Sequence, residues 1–182
     1  MFIAIDIGAL KGLISLEKKL KLIEPSLRLV EPQNIHLTLK FLGDTDESYI
    51  PCIKEVMTQS VKGKQPFQIN LKGIGVFPNF NYIKIIWVGM KIANEDTIPL
   101  SRITRKINDD LSHYDFPKDK NLQPHITIAR VKKLEDKKRL QKFIINTTDC
   151  DFGILEVTHI TLKKSTLTPA GPIYENLVRI KI

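Results

Sequence analysis

Cysteine is scarce in this sequence of 182 residues, with only Cys52 and Cys150 present and no ligand pattern beside either of them. Neither a disulfide framework nor a zinc site is therefore indicated. Long apolar runs are also missing, so no segment reaches the length of a membrane-spanning helix. The apolar N-terminal stretch has no basic leader and is interrupted by Asp6. We therefore expect a cytoplasmic protein with neither a signal peptide nor a membrane contact.

Linkers and low-complexity segments, which would separate domains, are absent as well. Hydrophobic residues make up 42% of the chain and charged residues 26%, which is an ordinary globular balance. One compact body is the better expectation at this length, because each half alone would be small. We therefore expect a single domain over residues 1–182 and a monomer.

Positive charge is in excess over negative charge. The chain has 28 lysines and arginines against 20 aspartates and glutamates, giving a net charge of +8 and a pI near 9.4. Such a balance favours a polyanionic partner, with nucleic acid first. Lysine-rich surfaces also accompany adaptation to heat, so the charge alone does not decide the partner.

Two of the four histidines stand in nearly identical settings, at residues 36–39 and 125–128. Both stretches have the form His-x-Thr-x with aliphatic residues at x, and 125 − 36 = 89 residues separate the histidines. In an extended strand, histidine and threonine share one face and the aliphatic residues share the other. The apolar face can pack, whereas the polar face must meet water or a ligand.

Hydrophobic periodicity predicts the same order of elements twice. The predicted helices cover residues 10–23, 47–61, 95–114 and 134–145, and the predicted strands cover 1–7, 27–30, 35–42, 67–77, 82–90, 125–128, 153–167 and 174–182. Each His-x-Thr strand is followed by a helix, a long strand, a proline-containing turn and another strand, which indicates an internal repeat. Two such units related by a pseudo-twofold would bring the polar faces together across one cleft.

A histidine taken singly is more often structural than catalytic, but a facing pair has a clear chemical use. Imidazoles have an ordinary pKa of about 6.5, so one can be neutral and serve as general base while the other is charged and serves as general acid. A phosphodiester suits such a pair, because its hydrolysis needs one proton removed and another supplied. Each threonine hydroxyl can donate a hydrogen bond to a non-bridging phosphate oxygen. Nothing in this chemistry requires a metal.

The motifs and their surroundings resemble the two-histidine (2H) phosphoesterase superfamily, and within it the RNA 2′,3′-cyclic phosphodiesterases long called 2′,5′ RNA ligases. The residues that carry the resemblance are 34–43, 73–78 with 86–89, 124–131 and 171–174. One His-x-Thr-x match would be common by chance, whereas two with these flanks in this order are specific. The likeness extends over nearly the whole chain.

The resemblance implies an α+β fold: a bilobal duplicated unit with two antiparallel sheets, helices on the outside and an active-site groove between the lobes. The first lobe motif lies around residues 34–43 and the second around 124–131. His36, Thr38, His125 and Thr127 match the catalytic tetrad of the family. The implied reaction opens an RNA 2′,3′-cyclic phosphate to a 2′-phosphate, with weak reversible 2′,5′ joining and no cofactor. Spacing does not assign the proton roles, and we favour His125 as base and His36 as acid.

Two basic residues near the motifs are expected to bind substrate. Arg130 follows the second motif as in the family and could hold the phosphate through its planar guanidinium. Its strand parity is wrong for the site, so it would need a twist, a bulge or the end of the strand. Lys40 has the same parity as His36 and could meet the RNA backbone, with an ordinary solvated lysine as the alternative.

Other prominent side chains are expected to be structural. Phe41 and Trp87 lie in apolar contexts and are predicted to be core. His159 begins a third His-x-Thr pattern, but it lacks the flanking residues of the other two.

Three alternatives to an RNA-end phosphodiesterase remain at this stage. The first is a 2H phosphoesterase acting on a small cyclic phosphate or nucleotide. The second is a non-catalytic RNA-binding module, although binding alone would not need two proton carriers. A metal hydrolase is the weakest, because no third ligand joins the histidines at ligand spacing. The RNA itself, whether tRNA fragments, splicing intermediates or decay products, is not specified by a basic surface.

Overall fold

The structure is a computed structural model that describes residues 1–91, 99–119, 123–169 and 171–182. Its strands are β1 (Phe2–Asp6), β2 (Arg28–Leu29), β3 (His36–Phe41), β4 (Phe67–Asn79), β5 (Tyr82–Met90), β6 (Ile126–Arg130), β7 (Asp151–Val157), β8 (His159–Thr168) and β9 (Gly171–Lys181). Its α-helices, over the same residues, are α1 (Lys11–Ile23), α2 (Ile50–Val61), α3 (Pro99–Leu111) and α4 (Lys137–Ile145). The four predicted helices are thereby confirmed in place, except that residues 95–98 of the third lie outside the described residues.

The strands follow one antiparallel path in the order β7-β4-β5-β6-β3-β1-β8-β9, with β2 paired to β6. Where β6 meets β3, in the middle of this path, the register contains only the pair Leu37 and Ile126 among the described residues. The structure thus has one sheet where two were predicted, and this sheet consists of two four-stranded halves joined through that residue pair. We call them the His36 half (β3, β1, β8, β9) and the His125 half (β7, β4, β5, β6).

The two halves of the sheet do not follow the two halves of the sequence. The β4–β5 hairpin comes after the first motif along the chain, yet β5 pairs with β6 of the second motif. The β8–β9 hairpin comes after the second motif, yet β8 pairs with β1, which is the neighbour of β3. Each motif strand is thus completed by a hairpin from the other half of the chain.

This exchange corrects one sequence prediction. The single strand predicted over residues 153–167 is two strands, β7 and β8, which are separated at Thr158. Strand β7 pairs with β4 in the His125 half and β8 pairs with β1 in the His36 half. No glycine or proline marks this point, but the apolar positions change phase there, from Leu155 and Val157 to Ile160 and Leu162. Predicting one continuous strand overlooked this change of phase.

Helices cover one face of each half. Helices α1 and α4 pack together, α1 against β6 and β7 and α4 against β4, whereas α2 and α3 pack together, α2 against β9 and α3 against β3. Helical spacing explains the buried stripes: Leu13, Leu16 and Leu20 on α1, and Ile103, Ile107 and Leu111 on α3, are each at most 2% exposed. Burying each such side chain contributes about 1.5–3 kcal/mol. No helix among the described residues is long and apolar enough to cross a membrane.

Candidate active site

The contact between Leu37 and Ile126 brings the two motifs together. Both side chains are completely buried on the helix-covered side of the sheet. Because side chains alternate along a strand, the residues before and after each of them point to the opposite side, which we call the site face. The pairing is antiparallel, so His36 is next to Thr127 across the two strands, and Thr38 is next to His125. Both His-x-Thr pairs therefore meet in one small area.

The two histidines are held in the same way. Nδ1 of His36 lies 2.7 Å from the carbonyl oxygen of Asn34, and Nδ1 of His125 lies 2.7 Å from that of Gln123. A carbonyl oxygen can only accept, so Nδ1 carries the proton in each ring. Each neutral imidazole is thus left with an unprotonated Nε2, the atom needed by a base, and a charged one carries an Nε2 proton to donate.

Aromatic rings form a wall beside His36. Its ring centroid lies 4.9 Å from that of Phe2 and 5.3 Å from that of Tyr174, which meets it edge-on at 87°. These rings restrict the imidazole and keep water from its sides. Tyr174 belongs to the C-terminal stretch that carries the family resemblance, but neither it nor Phe2 was predicted as a site residue from the sequence.

A matching wall stands beside His125. Phe77 meets the imidazole edge-on at 84° with ring centroids 4.9 Å apart, and Trp87 lies at 6.3 Å. Trp87 pairs across the strands with Thr127 and is only partly buried, so it lines the site instead of filling the core as predicted. Its indole crosses Gly75, where an added Cβ would come within 2.1 Å of the ring, so a side chain at Gly75 would displace this wall.

A β-bulge follows Thr38 on the first motif strand. Thr38 pairs with Ala4 and Lys40 pairs with Ile3, so the register skips Leu39. One extra residue reverses the side on which all later side chains point. The parity argument from the sequence therefore fails beyond Leu39.

Lys40 is consequently on the helix-covered side, which corrects its prediction as a substrate-binding residue. It is 1% exposed, and its ammonium donates to Asn108 Oδ1 at 2.8 Å and pairs with Asp119 Oδ2 at 3.1 Å. A second donated bond goes to the Pro117 carbonyl. Lys40 thus ties β3 to α3 and to the segment after it, and has no free donor to offer to RNA.

Phe41 is turned the other way by the same bulge and lies on the site face. Its side chain is 58% exposed, and its ring centroid is 6.3 Å from that of Phe2, which in turn contacts His36. The prediction that Phe41 is core is therefore wrong. An exposed aromatic ring beside the histidine is available to stack on a planar ligand.

The second motif strand has a bulge at the corresponding place. Thr127 pairs with Trp87 and Ala129 pairs with Ile86, so the register skips Ile128. Ala129 is consequently buried and Arg130 is exposed, on the side shared with Thr127. Burial lowers the pKa of His36 and raises that of Tyr174, and the positive charge of Arg130 favours a lower pKa in both groups, as its nearness to the site requires. The bulge thus removes the parity objection to Arg130.

An ion pair that the sequence did not reveal lies next to His36. Asp6 is the cross-strand neighbour of His36, and its Oδ1 is 2.6 Å from Lys163 Nζ. Lys163 is 6% exposed and also donates to Asn176 Oδ1 at 2.8 Å, while the Thr161 hydroxyl donates to Asp6 Oδ2 at 3.1 Å. Residues separated by more than 150 positions meet here because β1 pairs with β8, and only the topology could have shown it.

Charge and burial around His36 change its pKa. Burial lowers it most, the Lys163 and Arg130 charges lower it further, and the bond to Asn34 and the Asp6 charge oppose them. The result is a pKa below the ordinary value for histidine, which favours the neutral ring. A negatively charged phosphate at Nε2 would raise the pKa of His36.

The remaining histidines lie apart from this area. His159 opens β8 opposite Lys181, and its Nδ1 is 2.8 Å from Thr158 Oγ1. His113 lies in the 3₁₀ turn after α3. Over the residues that the structure describes, no group of three histidine, cysteine or acidic side chains is arranged to hold a metal ion.

Known proteins resemble this chain in sequence. A family model described as the 2′-5′ RNA ligase superfamily matches residues 18–169. A protein of Methanocaldococcus jannaschii named RNA 2′,3′-cyclic phosphodiesterase is 42% identical over 177 residues, which are 96% of either chain. One of the same name from Methanothermobacter thermautotrophicus is 34% identical over 178 residues, covering 97% of this chain and 95% of its own.

Solved structures resemble it in fold. The crystal structure of TT0787 from Thermus thermophilus matches with a TM-score of 0.81 at 24% identity, covering 99% of this chain and 96% of its own. The crystal structure of E. coli LigT complexed with 3′-AMP matches with a TM-score of 0.74 at 20% identity, covering 100% and 96%. These likenesses confirm the predicted α+β architecture.

Proposed function

Because the chain belongs to the 2′-5′ RNA ligase superfamily, we propose that it is an RNA 2′,3′-cyclic phosphodiesterase that opens cyclic phosphate ends to 2′-phosphates without a metal or cofactor. Archaeal relatives that match almost end to end carry that name. The observation that carries the proposal is the meeting of both His-x-Thr pairs around Leu37 and Ile126.

The reaction divides into two proton transfers at Nε2 atoms. A water oxygen attacks phosphorus while one neutral imidazole takes the proton of that water. The bond from phosphorus to O3′ breaks, its electron pair stays on O3′, and the other imidazole, which is charged, gives O3′ a proton. The product has a 2′-phosphate and a 3′-hydroxyl. The base ends charged and the acid ends neutral, so protons balance over the cycle.

Charge that builds on the non-bridging oxygens is met by three groups. The hydroxyls of Thr38 and Thr127 lie on the site face next to the histidines and can each donate to a phosphate oxygen. The Arg130 guanidinium, placed on the same face by the second bulge, adds a planar pair of charged donors. These bonds strengthen as the phosphorus gains an oxygen, which favours the transition state over the substrate.

We assign His125 as the base and His36 as the acid. A base must be neutral before reaction and an acid must be charged. The pKa of His36 is lowered by burial and by Lys163 and Arg130, so under this assignment His36 takes up its proton together with the anionic substrate. A phosphate oxygen beside Nε2 favours the charged ring and supplies this coupling.

The exposed ring of Phe41, which packs against the buried Phe2, suits the base of the terminal nucleotide. An RNA 5′-hydroxyl taking the place of water would undergo the same proton transfers and give a 2′,5′ linkage, which accounts for weak ligation. RNA ends, tRNA fragments among them, are the proposed substrates. A monomer acting as a single domain in the cytoplasm is the proposed setting.

The test is an oligoribonucleotide with a 2′,3′-cyclic phosphate end, incubated in EDTA with wild type, His36→Ala, His125→Ala and the control His113→Ala. We expect a 2′-phosphate product from wild type and the control, and a loss of about 10²–10⁴-fold in either site variant, which is what one proton transfer contributes.

Three outcomes would contradict the proposal. RNA bound with its cyclic end intact would indicate a binding module. Turnover that EDTA abolishes would indicate a metal hydrolase. A cyclic mononucleotide preferred over every oligomer would indicate the small-molecule phosphoesterase.

A further inference from the structure

The His125 half of the sheet carries a long stretch without acidic residues. No aspartate or glutamate occurs from residue 56 to residue 94, which includes all of β4 and β5, while the same stretch has five lysines. Residues 120–134, which include β6, also lack acidic residues. Within the described residues, Lys72 of β4 is paired with Asp149 at 3.6 Å, whereas Lys84 of β5 and Arg130 of β6 form no ion pair.

In the His36 half, both lysines of β8 are paired. Lys163 is neutralised by Asp6 next to His36, and Lys164 by Glu47 at 2.6 Å. An RNA chain extending from the histidines would meet paired lysines along β8, and Arg130 and Lys84, which are not in ion pairs, along β6 and β5.

Strand β5 continues the site face outward from His125. Trp87 lies next to Thr127, and Ile85 lies opposite Arg130. Further out, Phe77 pairs with Ile85 and Pro78 with Ile83, so the register skips Lys84. This bulge leaves Ile83 in the core, 4% exposed, and turns Tyr82 and Lys84 to the same side as Ile85. From Trp87 to Tyr82 the strand spans about 16 Å, at about 3.3 Å per residue. Tyr82 is thus beyond the terminal nucleotide but in line with it.

The outer end of β5 has the side chains that single-stranded RNA needs. Tyr82 is 61% exposed, and the Lys84 ammonium lies 5.0 Å from the centre of its ring. An exposed aromatic ring can stack on a base, and a lysine beside it can pair with the adjoining phosphate. Because the cation lies against the ring, both groups are already in position before RNA arrives.

Helix α4 holds this end of the hairpin rigid. Lys137 Nζ donates to the Asn81 carbonyl at 2.7 Å, and Gln141 Nε2 donates to the Phe80 carbonyl at 2.7 Å. The turn is also closed internally, since Asn79 Oδ1 accepts from the amides of Asn81 and Tyr82. A fixed turn keeps Tyr82 pointing outward, so little conformational entropy is lost when a base stacks on it.

We propose that Tyr82 and Lys84 bind the RNA chain upstream of the cyclic end, with Tyr82 stacking on a base and Lys84 pairing with a phosphate. This inference rests on the proposed function and adds to it a second binding surface outside the catalytic area. It makes the enzyme prefer an oligonucleotide to a cyclic mononucleotide, which is too short to reach Tyr82 and Lys84 at the outer end of β5.

The experiment compares kcat/KM for a 2′,3′-cyclic mononucleotide and for a tetranucleotide with the same cyclic end. The variants are Tyr82→Ala, Tyr82→Phe and Lys84→Gln, with Tyr114→Ala and Lys54→Gln as controls that are exposed elsewhere. We expect Tyr82→Ala to lower the tetranucleotide kcat/KM about tenfold and Tyr82→Phe to leave it unchanged, because stacking needs only the ring. Lys84→Gln should lower it several-fold and reduce the slope of log kcat/KM against log salt by about one. The mononucleotide values should stay at wild type, which also verifies folding.

Each other result has its own meaning. Equal losses on both substrates would mean that Tyr82 acts through the fold, and the inference would be overturned. Wild-type values on the tetranucleotide in both variants would overturn it too, while leaving the phosphodiesterase activity standing. If wild type opens neither substrate, the proposed function itself fails.

Discussion

Phe41 and Arg130 occupy the same position on the two motif strands. Each follows its histidine by five residues (41 − 36 and 130 − 125), and each is turned to the site face by a bulge one residue after the threonine. The duplicated frame thus presents an aromatic ring on one side and a guanidinium on the other. A nucleotide has the same asymmetry, with a flat base at one end and a charged phosphate at the other.

Phe41→Ala should lower kcat/KM for a cyclic-ended oligonucleotide about tenfold, because stacking on one aromatic ring contributes about 1–3 kcal/mol. Phe41→Tyr should retain the wild-type value. Steady-state kinetics check both, with Leu22→Ala as the control for loss of an exposed apolar side chain. Wild-type kinetics in Phe41→Ala would mean that the base lies elsewhere.

Arg130→Ala should lower kcat/KM on the order of a hundredfold, as expected for about 2–3 kcal/mol from charged hydrogen bonds to the phosphate. Arg130→Lys should recover only part of it, since lysine has the charge but not the planar pair of donors. The Arg130 charge lowers the pKa of His36, so its loss should raise that pKa in an NMR titration of the ring. An unchanged kcat/KM in Arg130→Lys would show that charge alone suffices.

The two partners of the ion pair beside His36, Asp6 and Lys163, should shift the pKa of His36 in opposite directions. The charged or titratable groups around this ring are Asp6 on β1, Arg130 on β6, Lys163 on β8 and Tyr174 on β9. Asp6→Asn removes a charge that raises the pKa of His36, so the pKa should fall. Lys163→Met removes one that lowers it, so the pKa should rise, and the double variant should return near wild type.

An NMR titration of the His36 ring measures these shifts directly. Lys163→Arg, which retains the charge, serves as the control for disruption of packing. Shifts of the same sign in both single variants would show that the pair affects His36 through structure and not through charge.

Replacing O3′ of the cyclic phosphate by sulfur should identify the acid. Sulfur leaves as a thiolate without needing a proton, so the variant that lacks the acid should be rescued and the variant that lacks the base should not. With His36 as acid, His36→Ala should approach wild-type rates on the sulfur substrate while His125→Ala stays slow. Rescue of His125→Ala instead would reverse the two roles.

Glu17 should make the stability of the fold depend on pH. It is 6% exposed on α1, its Oε1 makes no hydrogen bond within the described residues, and burial raises its pKa to about 7. The folded protein therefore prefers the protonated form of Glu17. The stability that this preference contributes is complete below the unfolded pKa of about 4.3 and is lost as the pH rises to 7. Glu17→Gln should stabilise the fold by about 1–2 kcal/mol at pH 8, a value reduced for solvent screening, and by much less at pH 4.

Thermal unfolding at the two pH values measures this difference. Glu55→Gln, an exposed change on α2, is the matched control and should show no such dependence. An equal effect of Glu17→Gln at both pH values would mean that the carboxyl is not held in its neutral form.

The sequence was sufficient for the four helices and for most of the strands, because period is a local property, while the catalytic roles of the four motif residues stay a prediction. It was not sufficient for the side on which Lys40 and Phe41 point. Each bulge adds one residue that reverses alternation, and neither Leu39 nor Ile128 is a glycine that would have marked it. Predicting Lys40 as a phosphate contact and Phe41 as core followed from uninterrupted alternation, and both were wrong for the same reason.

Strand pairing could not be predicted from the sequence for a different reason. Alternation says that a strand is half-buried, but it does not say which neighbour covers it. The exchange of hairpins between the two halves, and with it the Asp6–Lys163 pair, depends on which strands meet.

The same exchange sets the order in which a working enzyme can arise during synthesis. When β3 has left the ribosome, His36 lacks its partner surface, because β8 and β9 are made more than a hundred residues later. Proteins whose strands pair mainly with strands far away in sequence fold slowly, and the strands made first have unpaired edges until their partners are made. No part of the nascent chain carries both histidines in a finished pocket until the β8–β9 hairpin adds beside β1. A chain still bound to the ribosome therefore lacks the complete site.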